Sequence, residues 1–164
     1  MKAVEIHEHF KSVGTWVDWE HSCDAFKAGD PETEVRRVAV AWQATLPALR
    51  DAVAGGADLF ITHEPTFYVH MDDDPRVFEH AFAREKKRFI EQSGLVIYRC
   101  HDVWDRMPEI GILDSWARQL GFDGPPAASA TFHAAYPFRG TLGDLAERVR
   151  QCTEPLGQQR VWIL

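Results

Sequence analysis

The chain has 164 residues, enough for one domain or for one domain and part of a second. Its 18 Lys and Arg stand against 25 Asp and Glu, and the resulting charge of −7 excludes a basic stripe for nucleic-acid phosphates. Apolar residues at 45% supply a core, and no apolar run nears the roughly 20 residues that cross a bilayer, which excludes a transmembrane segment, and no membrane partner is expected. The opening Met1-Lys2-Ala3-Val4-Glu5-Ile6-His7-Glu8 has acids where a signal peptide is apolar, so a cytoplasmic location is expected. Cys23, Cys100 and Cys152 are odd in number and widely spaced, which suits neither a disulfide framework nor a CxxC zinc site.

In chain order, Val4, Ile6, Phe10 and Val13 fall on one side of a short amphipathic helix ended by Gly14. Residues 15–31, with Trp16, Trp19, Cys23 and Phe26, read as irregular. Residues 35–42 are β-branched and increasingly apolar, as a buried strand requires. Thr45 caps a helix with Pro47 in its first turn, Leu46, Leu49 and Val53 as its stripe, and Gly55-Gly56 as a left-handed stop. Residues 58–62 form a second strand. Asp74 then caps the longest helix, with Pro75 at its first position. Phe78, Ala81, Phe82, Phe89 and Ile90 point inward there, and Arg84-Glu85-Lys86-Lys87-Arg88 is a solvated outer face.

Ser93-Gly94 closes that helix before a third strand over 95–100. Another helix runs from about 109 to 120, burying Ile112, Leu113, Trp116, Ala117 and Leu120. Pro125-Pro126 marks a linker. A strand over 131–136, a helix over 141–152 capped by Thr141, and the start of a strand over 160–164 follow. The expected domain layout is an α/β domain over 1–121, with 122–164 as a truncated continuation of the same fold.

Strands alternating with helices imply βαβ units and a mostly parallel sheet flanked by helices. In such sheets the working residues gather beyond the carboxyl ends of the strands. Those positions hold Gln43-Ala44, His63-Glu64, and His101-Asp102 with Asp105 one step further. Imidazole with carboxylate is a ligand set for zinc, iron or manganese. His63-Glu64-Pro65 is not a zincin motif, because Phe67 stands where the second histidine belongs and Pro65 breaks the helix. The bland alternative is a loop histidine bonded to backbone beside a solvated glutamate. Cys100 beside His101 suggests nucleophile and base, but neighbours at a strand exit diverge, and Cys100 suits a buried strand position. If the strands over 58–62 and 95–100 are neighbours, their ends lie about 5 Å apart, or about 10 Å with a strand between. Asp72-Asp73-Asp74 lacks the pattern of a calcium loop. His21, His70, His80 and His133 have no partner visible in the sequence, although His70 lies near enough to residues 63–65 to support a site there.

Residues 34–41 followed by a helix and by Gly55-Gly56-Ala57-Asp58-Leu59-Phe60-Ile61-Thr62-His63-Glu64-Pro65 resemble the Nif-three-like dinuclear metal-centre proteins, also known as GTP cyclohydrolase I type 2 homologues. That family's strand ends in I-T-H-H-P, and its later H-T-N-L-D is matched in spacing by His101-Asp102-Val103-Trp104-Asp105. The resemblance is clear over residues 15–121. It implies an α/β fold, two divalent metal ions (Zn, Fe or Mn), a homo-hexamer and a metal-dependent hydrolase of unassigned small-molecule substrate. The first motif histidine falls on His63 and the motif aspartate on Asp105. Glu64 stands where the second histidine belongs, and Glu20-His21 where the family has an aspartate and an asparagine. A variant form with T-H-E-P-T-F-Y and a later H-D-x-W makes Glu64 a substituted ligand and brings His101 or Asp102 to the site. The remaining family ligands, a histidine and a glutamate, belong to a C-terminal part absent from this chain. The alternative function is a non-catalytic interaction module with a decayed metal site, offering Trp16, Trp19 and Phe26 as surface aromatics.

Overall fold

A computed structural model describes residues 1–162. The chain divides into two compact units, Met1–Trp104 and Asp105–Leu164. The first unit carries α1 (Ala3–Val13), β1 (Phe26–Ala28), β2 (Val38–Ala41), α2 (Leu46–Ala54), β3 (Leu59–Thr62), α3 (Ala81–Ser93) and β4 (Val96–Arg99). Its sheet runs β1-β4-β3-β2. Strands β2, β3 and β4 are parallel, in the register Val38↔Leu59 and Leu59↔Val96, and β1 is antiparallel to β4. The fold is thus mixed α/β with a mostly parallel sheet.

Alternation along the strands sorts the core. Phe60 and Ile97 face α2 and α3, joining Leu49, Ala52, Ile90 and Leu95. Leu59, Val96 and Tyr98 face α1, joining Ala3 and Val35. Helices on both faces explain why β4 is buried at all four positions. Strand β2 is an edge, and there the α1-side face stays open, leaving Val38, Val40 and Trp42 exposed.

Several sequence expectations need correction. Residues 15–31 are not wholly irregular, since Phe26–Ala28 pairs with β4. Phe26 packs edge-on against Tyr98, and that contact holds a strand too short to show a period. The helix expected from Asp74 is broken. Asp74 accepts a bond from the Arg76 backbone and opens a 3-10 turn over Pro75–Glu79, and α3 starts afresh after an extended His80. Arg84 satisfies the turn's last carbonyls by donating to Phe78 O and Glu79 O at 2.8 and 2.6 Å. Against expectation Phe82 is exposed and Lys86 is buried, while Ile90 is buried and Arg84, Glu85, Lys87 and Arg88 are exposed as expected. Of the glycine pair after α2, Gly55 is right-handed, and Gly56 alone takes a positive φ of 72°.

The short helix α4 (Asp102–Asp105) begins in the first unit and ends on the first residue of the second. The second unit continues with α5 (Ile112–Gln119), a hairpin of β5 (Ala128–Ala130) and β6 (His133–Ala135), and α6 (Leu142–Thr153). Thr141 caps α6 as expected, its hydroxyl accepting from the Asp144 amide. Arg148 reaches from α6 to Leu120 O at 3.0 Å and lies over Phe122 and Phe138. Trp116, expected inside, is exposed, and Ala117 and Leu120 form the buried side of this region. Residues 160–162 are not in a strand, and the rest of the strand expected there, Ile163 and Leu164, lies outside the described residues. None of the described helices is long and apolar enough to cross a membrane.

Candidate metal centre

Strands β3 and β4 are direct neighbours, with Thr62 opposite Arg99. His63 therefore leaves β3 one residue past its end, and His101 leaves β4 two residues past. Their rings stack with centroids 4.4 Å apart and planes at 28°. Trp42, just past β2, also stacks on His63, at 3.9 Å and 15°. His63 is 8% exposed, and ligand atoms of His63 and His101 lie within 4.8 Å of each other. The expectation of adjacent strand ends within side-chain reach is met.

Backbone hydrogen bonds fix the two exits. The amides of His63 and Glu64 both donate to Trp42 O, and the Cys100 amide donates to Thr62 O. Arg99, 1% exposed, donates Nε to His63 O at 2.9 Å, and its guanidinium also holds His70 O. A buried guanidinium satisfied by carbonyls ties the exit of β3 to the loop that carries His70. The His70 ring stands edge-on to His101, 6.1 Å away.

At the other exit the organising group is Asp24, 3% exposed. Its carboxylate accepts the amides of His101, Asp102 and Val103 at 2.6, 3.0 and 2.8 Å. An acid from the segment before β1 thus acts as the N-cap of α4, satisfying donors that a helix start leaves orphaned. Nothing in the sequence marks Asp24 for this role, because the partner amides lie 77 residues or more away.

Carboxylates flank both imidazoles. Glu64 Oε1 is 3.7 Å from His63 Nδ1. Asp102 Oδ1 is 3.0 Å from His101 Nδ1, and Asp102 Oδ2 accepts from Ser22 Oγ at 2.7 Å. Burial pushes the Asp102 carboxyl up, but the bonds from Ser22 and His101 outweigh it and leave the group below the ordinary value. Cys23, His101 and Asp102 form one group with ligand atoms within 4.8 Å of one another. Burial pushes the Cys23 thiol up to about 12, which makes it a poorer donor than the imidazoles and carboxylates. Asp105 closes α4, four residues past His101 and three past Asp102, a spacing that sets side chains on one helix face.

Cys100, expected inside the strand, is half-buried just beyond β4. The expected surface aromatics are largely withdrawn. Trp16 and Trp19 are half-buried and donate their indole N–H groups to Val103 O and Gly14 O. Glu20 is exposed, and His21 bonds to Asp18 at the surface.

Imidazoles and carboxylates gathered at the ends of adjacent parallel strands define an α/β protein with a donor set suited to divalent metal. The chain belongs to the Duf34/NIF3 (NGG1p interacting factor 3) family, whose model matches residues 4–161. Three solved structures show the same fold. HcgD from Methanocaldococcus jannaschii, solved in its reduced form, is 21% identical with a TM-score of 0.70, over 92% of this chain and 60% of its own. TTHA1606 from Thermus thermophilus is 20% identical with a TM-score of 0.68, over 94% and 62%. A Bacillus cereus protein related to NIF3 is 22% identical with a TM-score of 0.61, over 78% and 36%. This chain therefore spans less than two thirds of the length of each. No curated protein matches it.

Proposed function

We propose that the protein binds divalent metal through His63, Glu64, His101 and Asp105, and that two ions so held serve hydrolysis of a small-molecule substrate. The observation that carries this reading is the His63–His101 pair, stacked at 4.4 Å on adjacent strand exits with Glu64 and Asp102 beside it. The donor set is mixed nitrogen and oxygen, which suits zinc, iron or manganese. A metal pair of this kind lowers the pKa of bound water and stabilises an oxyanion. The chain's own residues orient the imidazoles, Asp24 through the start of α4 and Arg99 through His63 O. Elemental analysis of protein purified without an affinity metal is expected to find near-stoichiometric zinc, iron or manganese, and His63→Ala with His101→Ala should remove it. Wild-type protein without bound metal would sink this reading.

The proposal includes a cytoplasmic homo-oligomer, a hexamer as the resemblance implies. Support comes from the open face of edge strand β2, where Val38, Val40 and Trp42 are exposed. Apolar edges of this sort pair or are covered. That same face favours the second reading, a non-catalytic assembly module with a decayed metal site. Under it, His63→Ala with Asp105→Ala leaves the oligomer's size unaltered in light scattering and no metal is found. Under the first reading, metal is found and removed by the same changes.

A further inference from the structure

Beside the candidate metal centre, and sharing only Glu64 with it, lies a cavity of about 360 Å³. Gln43, Thr45 and Leu46 line it from the exit of β2, Glu64 and Tyr68 from the loop after β3, and Lys86 from α3. Lys86 is only 4% exposed. Its ammonium has three N–H donors, yet Thr66 O at 2.8 Å is its one hydrogen-bond acceptor among the described residues. The Tyr68 ring lies 4.1 Å from Nζ, a cation–π contact. No carboxylate among the described residues forms an ion pair with Lys86, whereas buried charges are ordinarily paired. Burial accordingly pulls its pKa down to about 8, against a weaker upward pull from the Asp72 carboxylate.

Three further features converge on this wall. Tyr68 takes a φ of 73°, a left-handed conformation that a bulky residue adopts at a cost, and this sets its ring over Lys86. Helix α2 opens on the cavity at Thr45 and Leu46 with no acid in its first turn, so no carboxylate of its own offsets the positive end of its dipole. Glu64, the one acid among the lining residues, is turned to the His63 ring, with Oε1 3.7 Å from Nδ1.

We propose that this cavity is an oxyanion subsite, in which Lys86 takes the carboxylate or phosphate of a small-molecule ligand. The ligand completes the ion pair that the chain itself withholds from Lys86. Charge-assisted bonds to a buried ammonium are strong enough to be read as affinity. The proposal fails or holds separately from the metal reading, because its binding group is Lys86 of α3 and not the shared Glu64, and its test is run on chelator-treated protein.

Uniformly ¹³C-labelled protein, freed of metal, is titrated with inorganic phosphate and separately with acetate at neutral pH. The Lys86 Cε resonance is expected to shift saturably with at least one of them, and which one shifts it tells phosphate from carboxylate. Lys86→Met should weaken that binding by about tenfold or more, the cost of a lost charged hydrogen bond. A Lys86 resonance that neither anion moves overturns the proposal, as does a loss in Lys86→Met smaller than that. If Lys86→Met does not fold, the wild-type titration alone decides.

Discussion

Replacing Asp24 with alanine removes the acceptor of three amides at once, those of His101, Asp102 and Val103. The carboxylate is withdrawn from solvent, with Asp24 3% exposed and Val103 fully buried, while His101 and Asp102 are half-buried. Each orphaned buried donor costs about 1–3 kcal/mol, and partial entry of water keeps the sum near the low end, at about 3–4 kcal/mol. That is a large share of the roughly 5–15 kcal/mol that holds a domain together. Asparagine is a graded probe. Its oxygen can keep the two amides that Oδ1 takes, while its NH₂ faces the Val103 amide, so about 1–2 kcal/mol should be lost. Urea unfolding with an unchanged slope measures both losses, and amide exchange at His101 to Val103 shows whether α4 opens on its own. An Asp24→Ala protein within about 0.5 kcal/mol of wild type, with those amides still protected, would refute the cap.

Other predictions use the titrating groups and the core. Lys86 loses its proton near pH 8 in the folded chain and near 10.5 when unfolded, so stability should rise between those values by about 3 kcal/mol. Lys86→Met should lack that rise in pH-dependent urea melts. Burial holds His7 below its ordinary value of 6.5, so the unfolded chain takes the proton first and stability falls as pH drops below 6.5. His7→Gln, which can keep the bond to Tyr98 Oη, should flatten that acid slope. Phe60→Ala, at a side chain 1% exposed, should cost about 3–5 kcal/mol by the same melts. Under the metal proposal, Glu64→His should raise zinc preference over manganese in competition titrations, and an unchanged ratio would place Glu64 outside the ligand set.

The sequence displays the parallel strands and the helices between them because their periods and caps are local properties. Thr45 and Thr141 cap helices within three residues of themselves, and they are readable for that reason. His63 and His101 are readable as a pair because strand exits in such sheets converge. What escaped depends on distant partners. Lys86 sits in a run of five charged positions that looks solvated, and it is buried because it lies a turn from both Ala83 and Ile90, on the inward face of α3. Asp24 looks like any loop acid until β1 brings it to the end of β4. Arg99 occupies a strand position that alternation would fill with an apolar residue, and its burial depends on two carbonyls supplied by the loop after β3.

From His63 to Asp74 the chain has neither α-helix nor strand, yet ionic side chains tie it down along its length. Arg99 holds the carbonyls of His63 and His70, Lys86 holds that of Thr66, and Asp72 takes the amides of Thr66 and Phe67. Such a segment does not fray residue by residue as ordinary loops do, because releasing one tether strips a buried charge of its partner. It should open as a single cooperative unit, with the amides of Thr66 and Phe67 exchanging together. The wall of the Lys86 cavity and the backbone that aims His63 would then be gained or lost in the same event.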